Sequence, residues 1–446
     1  MTGLKAGFSR VNITPPMGIP MRGYFKPRFA DGVLDDLEVN VIALEFKSER
    51  FLLISIDDCG VEQILNAEFR KRASEETGVS MENIILSSTH THTGGMLEYN
   101  SENELIKEYT DFVSKRVKDA ARFAVDDLAE AKMGYGKGYA PNVAFIRRYV
   151  MKDGSIKTNP GVNNPDIMHP VGKIDDSVNL IRFDRKDADT IIFVNFANHP
   201  DVVGGCKISA DWPGLLRKTV EKTLDGTKCI FFNGAQGDVN HVNVMPKPGD
   251  LNDMFIDFDD VARGYGHAKH IANVVTGGVL QAYAKVNYVE PDCVCAKQKV
   301  IAIPSNKASK EELIQAHKIN NLHNEGRDSE LPYEGMMLTT IVAEAARMVR
   351  LENAPDSFEM MLSAIKLGPV AILGIPGEPF SEIGKQIKET PGFDMIITCC
   401  NTNGKEGYFP MQDSYDEGGY EARSSNFKAG VGECIIKEGK ELLNDM

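Results

Sequence analysis

Apolar residues along this chain follow two alternating rhythms. Short continuous runs of branched and aromatic residues mark strands buried on both faces, and longer stretches with apolar positions every three or four residues mark amphipathic helices. Residues 51–56 (FLLISI), 84–86 and 229–232 read as buried strands, and 178–183 with 190–197 as a strand pair. Helices are expected over 62–76, 102–131, 311–324 and 335–352, and over 259–283 despite internal glycines. Trp212-Pro213-Gly214 opens a helix to Leu224, with Asp211 as N-cap and Pro213 in its first turn. Strands at 358–367, 370–374 and 395–400 alternate with helices at 378–389 and 427–443. The pattern predicts a multilayer α/β fold, with a mixed sheet or two sheets flanked by helices. No repeat or low-complexity segment interrupts it. The expectation is one domain over 1–446, with one possible seam near 290–310, where Pro291, Pro304 and a Ser/Lys-rich turn occur.

Composition narrows the function classes. The 446 residues are 42% hydrophobic and 26% charged, as in ordinary globular proteins. The formal net charge of −14 argues against nucleic acid or an anionic membrane surface as partner, because both attract basic faces. No run approaches the roughly 18 apolar residues needed to span a bilayer, and Met1-Thr2-Gly3-Leu4-Lys5 opens no signal core, so the expected location is cytoplasmic. The eight cysteines are scattered without a CxxC pair, consistent with reduced thiols, and Cys399-Cys400 close an apolar strand as core residues. Nothing here sets an oligomeric state.

The candidate chemistry sits where strands end. Ser88-Thr89-His90-Thr91-His92-Thr93-Gly94-Gly95 follows the 84–86 run. Side chains two apart on an extended chain share a face, so His90 and His92 are expected to project together from a strand end. Such a pair either holds a metal or caps a turn. A second strand ends at Asn198-His199-Pro200-Asp201, and a third segment is Asn233-Gly234-Ala235-Gln236-Gly237-Asp238. A fourth is Gly374-Ile375-Pro376-Gly377-Glu378-Pro379, in which Glu378 is expected to open a helix. A fifth is Gly407-Tyr408-Phe409-Pro410, with Tyr415 and Tyr420 downstream. Three protein ligands and an open position make a catalytic zinc site, but the spacing here is long-range, and convergence does not follow from it.

Several segments taken together resemble the neutral/alkaline, non-lysosomal ceramidase family. They are Gly7 to Pro16 (GFSRVNITPP) with Met21-Arg22-Gly23-Tyr24, then Ser88 to His92, then His199 with Ser209-Ala210-Asp211. Gly237-Asp238-Val239, Ile375-Pro376-Gly377-Glu378, and Tyr408 with Tyr420-Glu421 follow in order. Members of that family are zinc amidases that cleave the N-acyl bond of ceramide. The resemblance implies a ceramidase-like catalytic fold in which His90, His199, Glu378 and Tyr408 bind zinc. It also implies that His92, Tyr420 and an arginine, Arg147 in preference to Arg148, act on the substrate. Zinc would lower the pKa of bound water to roughly 7. His92, Tyr420 and Arg147 would donate to the oxyanion, and His92 would pass a proton to the departing amine.

Departures from the family pattern limit the transfer. Asn240 stands where the family has serine after Gly-Asp-Val, which excludes a serine nucleophile there. The C-terminal immunoglobulin-like domain of longer members is not expected, nor is an apolar insertion for lipid capture. The expected partner is therefore a small or lipid-like linear amide, and a soluble amide, N-acyl amine or ester fits as well as ceramide. Two rival readings are a non-catalytic binding homologue and a two-metal phosphoesterase built on Asp57-Asp58, Asn198-His199 and Gly237-Asp238.

Overall fold

A computed structural model describes residues 3–250, 252 and 264–446. In chain order the principal elements are β1 (Leu4–Asn12), β2 (Glu38–Phe46), β3 (Glu49–Ile56), α1 (Gln63–Thr77), β4 (Ile84–Ser88), α2 (Glu104–Asp126) and β5 (Ala129–Tyr139). There follow β6 (Ser177–Arg185), β7 (Thr190–Phe196), α3 (Asp211–Thr223), β8 (Thr227–Asn233), α4 (Tyr265–Tyr283), β9 (Val294–Pro304), α5 (Lys310–Asn324) and α6 (Gly335–Leu351). The chain closes with β10 (Ser357–Leu367), β11 (Val370–Gly374), α7 (Ser381–Lys388), β12 (Met395–Cys399) and α8 (Val431–Asn444). No helix among the described residues is long and apolar enough to cross a membrane.

Two sheets carry the fold. The larger has nine strands, ordered β8-β7-β6-β5-β1-β2-β3-β4, with Asn287–Val289 added against β5. The smaller is ordered β9-β10-β11-β12. Their faces share one apolar core, in which Ile42, Phe51, Phe193 and Phe232 of the larger sheet share a cluster with Ile365, Ile372 and Ile397 of the smaller. Helices α1 and α2 cover one half of the larger sheet's outer face, and α3 and α4 the other half. Helices α7 and α8 cover the smaller sheet. The result is a four-layer helix–sheet–sheet–helix stack, and strands such as β4 and β11 are buried at every position, which explains their unbroken apolar runs.

Within the two main sheets, three strand pairs among the described residues are parallel: β3–β4, β7–β8 and β11–β12. Their carboxyl ends are tied together. Ser88 N–H donates to the Asn401 carbonyl (3.1 Å), and Cys400 N–H donates to the Asn233 carbonyl (3.0 Å). Loops from both sheets therefore open onto one edge, the place where open α/β sheets bind ligands.

Some expected boundaries move. The helix expected to reach residue 131 ends at Asp126, and Ala129–Ala131 already belong to β5. Gly138 on β5 lies so close to α4 that a Cβ there would stand 1.9 Å from the Gly278 carbonyl oxygen, so glycine spacing rather than apolar periodicity marks this strand. Helix α4 begins at Tyr265, and the expected residues 259–263 lie outside the described set. Residues 427–430 precede α8, which starts after Gly430 in a left-handed conformation (φ +97°). Asp211 is the first residue of α3, not its N-cap. Its carboxylate accepts from Val203 N–H (2.8 Å) and Trp212 N–H (2.6 Å), which pins the preceding loop. The seam near 290–310 contains β9, which pairs with β10 along its full length.

Candidate metal centre

His90 does not lie on an extended strand. Strand β4 ends at Ser88, and His90 takes a left-handed backbone conformation (φ +76°), so a turn aims its ring inward. His90 N–H donates to the Asp58 carbonyl (2.9 Å) and His92 N–H to the Pro200 carbonyl (3.1 Å). The hydroxyls of Thr91 and Thr93 both donate to the Ser209 carbonyl (2.7 and 3.0 Å). Ser209 thus anchors the histidine turn. The two rings still converge, with His90 Nε2 and His92 Nε2 3.2 Å apart.

Glu378 also departs from its expected setting. It opens no helix, since α7 starts at Ser381. Glu378–Pro379 instead forms a short parallel bridge with Tyr408–Phe409, with Glu378 opposite Tyr408. A two-residue ladder thus places carboxylate and phenol side by side. Glu378 Oε2 lies 3.3 Å from His90 Nε2 and 3.3 Å from His199 Nε2, and all three side chains are buried. Tyr408 Oη is 3.5 Å from His199 Nε2.

The outer nitrogens are held by backbone oxygens. His90 Nδ1 faces the Cys59 carbonyl (2.5 Å), and His199 Nδ1 faces the carbonyls of Gln236 and Val239 (3.2 Å each). With those Nδ1 atoms protonated, each Nε2 directs a lone pair toward Glu378, the arrangement that prepares imidazoles for a metal. Glu378 Oε2 makes no hydrogen bond among the described residues although fully buried. Two imidazole lone pairs and an unpartnered carboxylate oxygen, all within 4.8 Å of one another, fit a divalent cation and fit zinc's preference for nitrogen and oxygen donors. A second grouping, Cys59 with His90 and His92, shares the His90 ligand.

Electrostatics favour an anionic Glu378 at this point. Burial opposes charge on Glu378, but His90 and His199 hold its carboxyl well below the usual range, so it stays ionised. Burial likewise opposes charge on His90, but Glu378 raises its imidazole well above the ordinary value. His199 is lowered by burial and by Arg147, and His92 well lowered by burial and by His90. Burial and the Glu378 charge push the Tyr408 phenol well up. A cation at this point would reverse the pressure on His90 and Tyr408 and favour neutral imidazole and phenolate.

Arg147 and Tyr420 face the same point. The Arg147 guanidinium lies 5.2 Å from the Tyr408 ring centre and 6.0 Å from that of Tyr420, and the two tyrosine rings meet edge-on at 5.6 Å. Arg147 is held by the buried Glu421 (2.6 Å) and by the Gly237 carbonyl (2.6 Å). Arg148 turns away toward Ser414 (2.9 Å) and Glu417 (2.7 Å). Two cavities border this cluster. One of about 510 Å³ is lined by Tyr24, Phe25, Leu338 and Val342, and one of about 430 Å³ by Tyr420, Met336, Thr340 and Lys157.

The fold resembles that of two solved structures. The crystal structure of neutral ceramidase from Pseudomonas aeruginosa superimposes with a TM-score of 0.75 at 16% identity, over 99% of this chain and 74% of that one. A structure described as ceramidase complexed with C2 gives 0.74 at 14% identity, over 100% of this chain and 76% of that one. The fold is ceramidase-like. No family model matches the sequence, and no curated protein matches it.

Sequence reasoning missed several supporting groups. Glu421 neutralises Arg147, Cys59 and Asn401 flank His90 Nδ1, and Arg28 grips the turn behind His92. Asn401 was within reach, since it follows an apolar strand as His90 and His199 do. Of the residues that hinted at a phosphoesterase, Asp57, Asp238 and Asn198 are engaged elsewhere, whereas His199 belongs to the cluster. Asp57 accepts from Arg217 (2.6 and 3.0 Å) and Thr89 (3.1 Å), Asp238 from Ser381, and Asn198 donates to the Val143 carbonyl. Asn240 donates to Asn159 Oδ1 (3.1 Å) and accepts from Val242 N–H (3.0 Å).

Proposed function

We propose that this chain is a zinc-dependent hydrolase of linear amides, with an N-acyl amide as substrate. The convergence of His90, His199 and Glu378 within 4.8 Å carries the reading, and the likeness to two ceramidase structures supports it. Tyr408 serves as fourth protein ligand. A bound zinc supplies a water of lowered pKa and polarises the amide carbonyl. The chain's own groups do the rest. Tyr420 and Arg147 donate to the oxygen that gains charge as the carbonyl becomes tetrahedral, and each such donor is typically worth about 3 kcal/mol of barrier. His92, kept neutral by burial and by His90, would take the proton released by the attacking water and deliver it to the departing amine. Glu421 fixes the Arg147 guanidinium and balances its charge. Residues 1–446 are read as one catalytic unit, because the shared core joins residues on both sides of the 290–310 segment.

The test combines metal analysis with hydrolysis of N-acyl amides of graded chain length and of matched phosphoesters. One zinc per chain, amide cleavage lost on chelation and restored by zinc, and no phosphoester cleavage are expected. Metal-free protein without amide cleavage would leave only a binding homologue. Phosphoester cleavage with two metals per chain would overturn the assignment.

A further inference from the structure

Between the metal cluster and the 510 Å³ cavity runs the loop Arg22–Arg28, and one side chain joins that loop to the histidine turn. The Arg28 guanidinium donates from Nη2 to the His92 carbonyl (2.5 Å) and to the Arg22 carbonyl (2.7 Å), and from Nη1 to the Gly205 carbonyl (2.7 Å). Its planar fork thereby ties three backbone segments remote in sequence. The same guanidinium lies 4.1 Å from the centre of the Tyr24 ring, and that ring meets the His92 ring edge-on at 5.6 Å and 79°.

These contacts surround His92 rather than the metal ligands. Pro200 holds its N–H from one side and Arg28 its carbonyl from the other. Behind its ring sits Gly23 (φ +104°), so close that a Cβ there would stand 2.6 Å from His92 Cγ. His92 Nδ1 is buried and makes no hydrogen bond among the described residues. The ring is therefore oriented by packing and by its own backbone, and no side-chain hydrogen bond beyond the His90 contact fixes it. His90, His199 and Glu378 have separate anchors in the carbonyls of Cys59, Gln236 and Val239 and in the bridge to Tyr408.

We infer that Arg28 is the positioning residue for His92, acting through the His92 carbonyl and the Tyr24 ring, and that it sets turnover without setting metal occupancy. The turnover part rests on the hydrolase reading above; the orientation of His92 does not. Lysine cannot replace arginine here, because a point charge on a flexible stem spans neither three carbonyls nor an aromatic face.

The experiment compares wild type with Arg28→Ala, Arg28→Lys and Tyr24→Leu in three readouts. The first is zinc per chain, expected unchanged in all. The second is steady-state kinetics on the best N-acyl amide. Arg28→Ala and Arg28→Lys are expected to lose about 10²-fold in kcat with KM little changed, the cost of displacing a catalytic group by about 1 Å. Added guanidinium should recover activity in Arg28→Ala but not in Arg28→Lys. The third is carbethoxylation of His92 in metal-free protein by diethyl pyrocarbonate, localised by tandem mass spectrometry with His199 as internal reference. It is expected to rise several-fold in Arg28→Ala. Tyr24→Leu leaves the carbonyl clamp in place and should show the same changes in smaller measure, which keeps the test open if Arg28→Ala fails to fold. Folded variants with unchanged kcat and unchanged His92 reactivity, or with lost zinc, would overturn the inference. If the wild type cleaves no amide, the hydrolase reading fails, and His92 reactivity still decides the role of Arg28.

Discussion

Gly237→Ala probes the metal centre without substituting a ligand. A Cβ at Gly237 would stand 2.4 Å from the Glu378 carbonyl oxygen and 3.0 Å from both Glu378 C and Pro379 C. Ordinary contact begins near 3.5 Å, so the new methyl is about 1 Å too close to backbone that cannot rotate away. Gly237 is also fixed from both sides, with its N–H on the Pro379 carbonyl (2.8 Å) and its carbonyl on Arg147 Nη2 (2.6 Å). The strain must move the Glu378–Tyr408 bridge, and with it two proposed ligands. Overpacking of this kind costs about 1–3 kcal/mol of stability. Disturbing the support of a metal ligand typically costs about 10- to 100-fold in affinity. Zinc competition against a chromogenic chelator measures the affinity, and thermal melting of metal-free protein measures the strain. Gly277→Ala is the control. It lies within α4 with open space around its Cβ, and helix propensity predicts up to about 1 kcal/mol of stabilisation with zinc affinity unchanged. Wild-type zinc affinity in folded Gly237→Ala would refute the claim that Glu378 and Tyr408 are positioned by this bridge.

Three further outcomes follow from the same coordinates. His90→Ala should lose zinc and turnover together, whereas His92→Ala should keep zinc and lose turnover; metal analysis beside kinetics separates the roles, and the reverse pattern would exchange them. Arg217→Ala leaves Asp57 as a buried unpaired charge beneath the histidine turn and should cost about 3–5 kcal/mol in denaturant unfolding. Burial works against charge on Asp175, but Lys388 (2.7 Å) and Ser177 hold its pKa down to about 2 from 3.8. The proton therefore binds the unfolded state first as pH falls, and the pair's contribution of about 2 kcal/mol is complete above about pH 4 and lost between about pH 4 and 2. Asp175→Asn should be destabilised near neutrality and converge with wild type in that acid range, as read by unfolding at several pH values.

The layers of the fold were largely legible, because strands buried on both faces and helices buried on one leave different periods. Strands β1, β5 and β9 were not, since half-exposed or glycine-bearing stretches such as 129–139 lack an unbroken apolar run; β2 was missed although it is buried along most of its length and carries the run Val41-Ile42-Ala43-Leu44. The positions of His90, His199 and Glu378 at strand ends were visible, but their geometry was not. His90 reaches the centre through a left-handed turn and not through strand alternation, a choice fixed by the Asp58 and Ser209 carbonyls contributed from distant segments. Glu378 looked like a helix-opening carboxylate, because its bridge to Tyr408 spans 30 residues and has no local signature. The roles of Tyr408 and Tyr420 came only from family resemblance. Arg28 and Glu421 act through contacts that only the folded chain assembles.

Anomalous diffraction at the zinc edge from crystals of protein loaded with one equivalent of zinc tests the central claim most directly. The account predicts a single strong peak about 2.0–2.2 Å from His90 Nε2, His199 Nε2 and a Glu378 carboxylate oxygen. A peak elsewhere, or none at this cluster, would contradict it.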